Sequence, residues 1–239
     1  MISELWPGGP VFKEEDGVHR VGADSVILAD FTVGARHRKT ERAADLGCGS
    51  GIISVLMAWS IPGLLVDAVE LQPRAAVLAR ENAELSGLSD RITVIEEDLR
   101  RHREFLQSGA YDFTVSNPPY NPRGSGKRHA NANLAAARDD LRCTLDDLCR
   151  AAKYLTRWGG SLFLVNKPGR LSDTFRALSA NGFEAKRLRF IQHDLSSPPN
   201  LVLIEARRGG NPSLSVEAPL FLTNEDGGDS DEIKRIYRM

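Results

Sequence analysis

Arg42-Ala43-Ala44-Asp45-Leu46-Gly47-Cys48-Gly49-Ser50-Gly51 runs from a short apolar strand into the apolar helical segment Ile52–Trp59, with glycine at alternate positions. Such glycines permit a tight turn and let a ligand approach the backbone, while the helix start behind them offers unpaired N–H groups. The turn therefore suits a nucleotide-like ligand. A second strand, Leu64–Glu70, ends on an acid nineteen residues beyond Gly51, near the spacing at which doubly wound folds place a ribose-binding carboxylate. The pattern is G-x-G-x-G, without the third glycine of the dinucleotide fingerprint, and Asp45 precedes it by two residues. A carboxylate there would repel a pyrophosphate and suits an amino group or a sulfonium. A strand-to-helix turn that merely needs glycine explains one glycine, and poorly explains three in register with Asp45 and Glu70.

Outward from this turn, strand and helix alternate. Helices are predicted over Pro73–Ser86, with proline in the first turn and Gly87 behind it, and over Leu99–Gln107, ending at Gly109. A third strand, Arg91–Leu99, carries Asp98 at its end. Residues 17–33 read as a loop closing on a short helix with Asp24 or Ser25 as N-cap. A helix from about Leu141 to Trp158 precedes Gly159-Gly160 and the strand Ser161–Asn166, and Leu171–Ser179 is a further helix. This alternation implies right-handed crossovers and an α/β fold, a parallel sheet covered on both faces. The last pair departs from it. Glu184–Ile191 and Leu201–Ala206 are joined by a polar segment with Pro198-Pro199 and no helical pattern, so they pair antiparallel.

Asn117-Pro118-Pro119-Tyr120 interrupts the apolar run Tyr111–Ser116. Two prolines cannot continue a sheet ladder, and the residue before a proline is held extended, so a stiff elbow stands at a strand's carboxyl end. The Asn117 amide oxygen and the Pro118 carbonyl are two acceptors at one point. They suit a planar –NH2 group, and Tyr120 adds a flat face for the body that carries it. Taken alone, the tetrapeptide reads equally as a proline-rich strand exit with a core tyrosine. Asp98 likewise fits a helix N-cap as well as a ligand contact.

At 239 residues, 41% hydrophobic and 26% charged, the chain can bury the core of one α/β domain over 1–239, with 1–41 a covering segment and 209–239 an extension. Cys48, Cys143 and Cys149 form no C-x-x-C pair, so neither a disulfide framework nor a metal site is indicated. The first residues lack a basic region and no apolar run approaches ~18 residues, which points to the cytoplasm and away from a membrane. Net charge is −1, but its distribution is uneven. Arg36, Arg38, Lys39 and Arg42 form one basic run that reads as solvated surface. Arg123, Lys127, Arg128, Arg138 and Arg142 form another directly after the elbow, and Glu225 to Glu232 make an acidic tail.

The acid before the glycines resembles the first motif of S-adenosylmethionine-dependent methyltransferases. The C-terminal block is more specific. Phe190-Ile191-Gln192-His193-Asp194, the run Asn200 to Gly210, Ala218 to Leu222 and Ile236-Tyr237 resemble the bacterial tRNA adenine-N6-methyltransferases that act on a valine tRNA, as do Arg20 to Asp24 and Ala137-Arg138. The resemblance covers essentially the whole chain. It implies a Rossmann-like class I fold, a seven-stranded mostly parallel sheet with a C-terminal antiparallel hairpin. It implies S-adenosylmethionine held by Asp24, Asp45, Gly47, Gly49, Gly51, Glu70, Leu71, Asp98, Leu99 and Asn117. Methyl transfer to adenine N6 would use Asn117, Pro118 and Tyr120, with Arg123, Lys127, Arg128 and Arg138 on tRNA phosphates. No protein partner is implied. His193 reads as a catalytic base or as a solvated hairpin histidine. A protein glutamine amide, or guanine N2 in ribosomal RNA, would present the same –NH2 group to the elbow. The glutamine enzymes usually carry an N-terminal helical domain, for which the ~40 residues before Asp45 leave no room.

Overall fold

The alternating glycines put their turn between a strand and a helix, and the rest of the sheet is laid out from there. The computed structural model describes residues 1–15, 22–35, 41–118 and 143–239. A two-stranded ribbon, β1 (Ile2–Glu4) and β2 (Val11–Lys13), precedes α1 (Ala23–Val33). Then follow β3 (Arg42–Leu46), α2 (Ile52–Ser60), β4 (Leu65–Glu70), α3 (Pro73–Leu85), β5 (Ile92–Glu96) and β6 (Tyr111–Ser116). The second half holds α4 (Leu145–Leu155), β7 (Thr156–Asn166), α5 (Leu171–Ala180), β8 (Phe183–Gln192), β9 (Leu201–Arg208), the short β10 (Ser215–Val216) and β11 (Leu220–Phe221), and α6 (Asp231–Ile236).

The sheet runs β10-β8-β9-β7-β6-β3-β4-β5, with β11 also on β8. All neighbours are parallel except β9, which is antiparallel to both β7 and β8. The seven-stranded core with its closing hairpin is therefore the fold expected. Two strands of two residues each extend it to nine, added parallel to β8 by the C-terminal extension. The connections reverse direction between β3 and β6, so the carboxyl ends of those two strands form the switch point where doubly wound sheets bind ligands. Two apolar layers cover the sheet. One gathers α1, α2, part of α3 and Ile233 and Ile236 of α6. The other gathers α4 and the residues around Tyr111, Leu148 and Leu178.

Several boundaries differ from the sequence expectation. The first helix is capped by the extended Gly22, which puts Asp24 and Ser25 inside its first turn. The helix expected at Leu99–Gln107 is a 3-10 helix over Leu99–Glu104, N-capped by Asp98, and β5 stops at Glu96. Helix α4 begins at Leu145 because Thr144 and Asp147 exchange a capping box. It ends at Leu155, and β7 begins five residues before Ser161. Tyr111 pairs with Thr156, and the register then shifts before Phe113 meets Ser161. The shift passes through Gly159, at φ +75°, and Gly160, where a Cβ would lie 2.4 Å from the Asp112 carbonyl. Glycine there lets one strand bulge and continue instead of starting a new one.

Candidate active site

The glycine turn is fastened to the next strand by its backbone. The N–H groups of Gly47 and Cys48 both donate to the Val69 carbonyl at 2.9 Å. Glu70 then closes the turn. Its Oε2 accepts from the Gly49 N–H and its Oε1 from the Gln72 N–H, each at 2.8 Å. The carboxylate is 6% exposed and ties β4 to the turn, with a second acceptor site left on each oxygen.

Gly47, at φ +79°, and Gly49, at φ +57°, have nothing within 4 Å of where a Cβ would stand. Their bare faces form a cradle in conformations that side chains rarely adopt. Gly51, also at φ +79°, differs, since a Cβ there would meet Ala79 Cβ at 3.1 Å. Its service is the close packing of α2 against α3.

Asp45, beneath the turn, is fully buried. Its Oδ2 accepts from Ser54 Oγ at 2.7 Å, and Oδ1 has no hydrogen-bond partner among the described residues. Burial pushes its carboxyl up to about 7 against the Ser54 hydrogen bonds, and the Glu70 charge adds to the rise. A buried acceptor without a donor favours a ligand that brings one, and a positive charge most of all.

Beside the turn lies the end of β6. Ser116 Oγ donates to the Leu46 carbonyl at 2.7 Å, so the two strand ends at the switch point are pinned together. Asn117 follows directly, and its Nδ2 donates to Ser25 Oγ at 3.0 Å. A cleft of about 100 Å³ is lined by Gly47, Glu70, Leu71, Asp98, Asn117 and Pro118, with Leu46, Val69, Leu99 and Leu148 giving it an apolar floor. Asp98, which also lines the cleft, is an N-cap accepting from the Arg100 N–H, while the Arg100 guanidinium grips both its oxygens. That hydrogen bonding holds it below the usual carboxylate range.

The elbow and the turn thus face one cleft, together with Glu70, Leu71, Asp98 and Leu99. Asp45, Gly49 and Gly51 lie outside its lining, as does Asp24, whose Oδ1 accepts from the Ser25 N–H. His193 is exposed in the connection between β8 and β9. Tyr120, Arg123, Lys127, Arg128 and Arg138 lie outside the described residues. Three neighbours escaped the sequence reading, namely Ser116, Ser25 and Cys143, a lining residue whose thiol burial pushes up to about 12 and so keeps protonated. No local pattern marks them, because each matters through a residue far away in the chain. Among the described residues no group of three His, Cys, Asp or Glu could hold a metal ion, and no helix is long and apolar enough to cross a membrane.

The cleft and the turn beside it are compatible with S-adenosylmethionine: they offer an apolar floor, the Glu70 carboxylate, bare glycine faces, and an Asp45 oxygen without a hydrogen-bond partner among the described residues. Comparison with known proteins agrees. Residues 22–177 match the methyltransferase small domain. A tRNA1(Val) (adenine(37)-N6)-methyltransferase of Tolumonas auensis is 32% identical over 89% of this chain and 86% of its own. A predicted O-methyltransferase from Agrobacterium tumefaciens shares the fold at a TM-score of 0.73 and 21% identity, over 90% of this chain and 95% of its own. A geranyl diphosphate methyltransferase solved with S-adenosylmethionine does so at 0.57 and 15%, over 77% and 85%.

Proposed function

Since this chain belongs to the methyltransferase small domain family, alongside the tRNA1(Val) adenine-N6-methyltransferases, and is an S-adenosylmethionine-dependent N-methyltransferase, we propose that it methylates the N6 amino group of an adenine in tRNA, next to the anticodon, in the cytoplasm. The observation that carries the proposal is the shared cleft, which Asn117 and Pro118 line together with Gly47 and Glu70. S-adenosylmethionine supplies an electrophilic methyl carbon on a sulfonium.

An adenine amino group is a weak nucleophile because its lone pair is delocalised into the ring. Asn117 Oδ1 and the Pro118 carbonyl accept its two hydrogens, favour a pyramidal nitrogen and stabilise the positive charge that develops during attack. No strong base is needed beside them. Holding nitrogen and methyl carbon in line recovers roughly 7–11 kcal/mol of barrier in well-oriented systems. Glu70 and Asp98 accept from the cofactor's hydroxyl and amino groups, and Asp45 offers its charge to the methionine end. Tyr120 stacks on the extruded base, worth about 1–3 kcal/mol, and Arg123, Lys127, Arg128 and Arg138 meet phosphates.

Incubation with methyl-labelled S-adenosylmethionine and, separately, total tRNA, ribosomal RNA and release-factor protein tests the reading. Label is expected in tRNA as N6-methyladenosine, abolished by Asn117→Ala with cofactor binding nearly unchanged. Label in protein glutamine, or in guanine of ribosomal RNA, would replace it with another amine substrate.

A further inference from the structure

Asn82 of α3 is a polar side chain only 1% exposed. Its hydrogen bonds run to backbone groups on two other parts of the chain. Oδ1 accepts from the Lys13 N–H of β2 at 2.7 Å, while Nδ2 donates to the Ser50 carbonyl of the glycine turn at 2.9 Å and, longer, to the Lys13 carbonyl at 3.4 Å. A backbone N–H only donates and a carbonyl only accepts, so these partners fix which end of the amide is which. Reversed, the amide would set N–H against N–H and oxygen against oxygen.

The peptide that Asn82 grips lies between Ser50 and Gly51. Its carbonyl meets Asn82, and its N–H donates to the Cys48 carbonyl at 2.9 Å. Glycine populates positive and negative φ about equally, so Gly51, at φ +79°, does not by itself hold this peptide as it stands. A contact from outside the turn does. We propose that Asn82 is a positioning residue for cofactor binding, which holds the glycine turn in its cofactor-accepting form through the Ser50 carbonyl, its own amide being oriented by Lys13 of the N-terminal ribbon. The inference rests on the reading of the glycine turn as the cofactor's cradle. Asn82 does not line the cleft, and it acts through the turn. Affinity then scales with the fraction of the chain whose turn is correctly set, and losing one neutral hydrogen bond corresponds to about a five- to tenfold drop in that preference.

Ser86, one helical turn further along α3, supplies the control. Its Oγ accepts from the Val11 N–H at 3.1 Å and donates to the Val11 carbonyl at 3.0 Å, so it anchors the same ribbon without touching the glycine turn. Calorimetry with S-adenosylmethionine and urea unfolding are run on wild type, Asn82→Ala, Ser86→Ala and Gly47→Ala. Asn82→Ala is expected to weaken cofactor binding about five- to tenfold, whereas Ser86→Ala loses stability but binds within about twofold of wild type. By reciprocity, saturating cofactor should slow exchange of the Asn82 side-chain amide protons in the wild type. Those of Asn181, bonded to Asp146 and the Ala177 carbonyl, should not change. Wild-type affinity in Asn82→Ala, with Gly47→Ala weakened, overturns the positioning role. Equal losses of affinity in Asn82→Ala and Ser86→Ala, in step with their stability, overturn it by making Asn82 merely structural. Exchange at Asn82 that ignores the cofactor overturns it on the wild type alone, whether or not the variant folds. Undiminished binding by Gly47→Ala would instead remove the reading of the turn on which the inference rests.

Discussion

Asp45 is a fully buried carboxyl beneath the glycine turn. Its folded value of about 7 lies above the ordinary 3.8, so between the two the folded chain binds a proton that the unfolded chain does not. Stability from this group is therefore greatest below pH ~4 and is lost as the pH rises toward ~7. A ligand that brings positive charge to Oδ1 reverses the balance, because the ionised form is then preferred. Cofactor affinity is expected to rise about tenfold from pH 6 to pH 8 in the wild type, following the ionised fraction of a group titrating near 7, and not in Asp45→Asn. The cofactor's own titration is common to both proteins, so calorimetry on the pair isolates the aspartate. His102 shows the opposite sign. Its Nδ1 bonds to the Leu99 carbonyl at 2.9 Å, Nε2 is buried without a partner among the described residues, and burial lowers its pKa from 6.5. The stability it contributes is present above pH ~6.5 and lost as the pH falls below. Between pH 7.5 and pH 5 the thermal midpoint should fall further in wild type than in His102→Leu. The acid before the glycines was legible in the sequence, whereas its bare oxygen depends on Ser54 taking one side only.

Within the turn, the three glycines differ in what stands beside them. Gly47 and Gly51 share φ +79°, yet one faces open space and the other lies against Ala79. Gly47→Ala adds the left-handed penalty of roughly 1–2 kcal/mol and fills the cradle, so cofactor affinity should fall while the fold persists. Gly51→Ala carries the same penalty plus about 1–3 kcal/mol of overpacking. Its main effect should be a lower midpoint in urea unfolding, and equal stability of the two variants would contradict the division. Which glycine did which was not legible, since spacing fixes the turn and not what stands beside it. The parallel order and the antiparallel close were legible from alternation and from the polar link 192–200. The early start of β7 was not. Thr156-Arg157-Trp158 continues a helical pattern in sequence, and only the pairing of Thr156 with Tyr111 turns it into a strand. The place of Asn117 and Pro118 at the carboxyl end of β6 was legible because a proline ends the strand's ladder. The Asn117 partner Ser25 was not, standing 92 residues away.

At the scale of the molecule, the C-terminal segment closes over the helix that carries Ser25. Ile233 and Ile236 of α6, each 6% exposed, join the same apolar layer as Val26, Ile27 and Phe31 of α1. Charge accompanies the contact: Arg235 pairs with both oxygens of Asp30, and Arg189 of β8 with both oxygens of Glu232. The acidic tail is thereby partly spent on the body of the protein. The two kinds of contact differ in weight. Arg235 is 58% exposed at its side chain, and an ion pair so open to water is worth about 0–1 kcal/mol. Truncating a buried isoleucine costs about 2–5 kcal/mol, the transfer term plus the cavity left behind. Ile233→Ala should therefore lower unfolding stability several-fold more than Arg235→Ala, and its effect should persist at high salt, where screening removes most of the arginine's part. Urea denaturation of the two variants at low and high salt measures both. A larger loss in Arg235→Ala, erased by salt, would mean that charge rather than apolar burial holds the extension to α1.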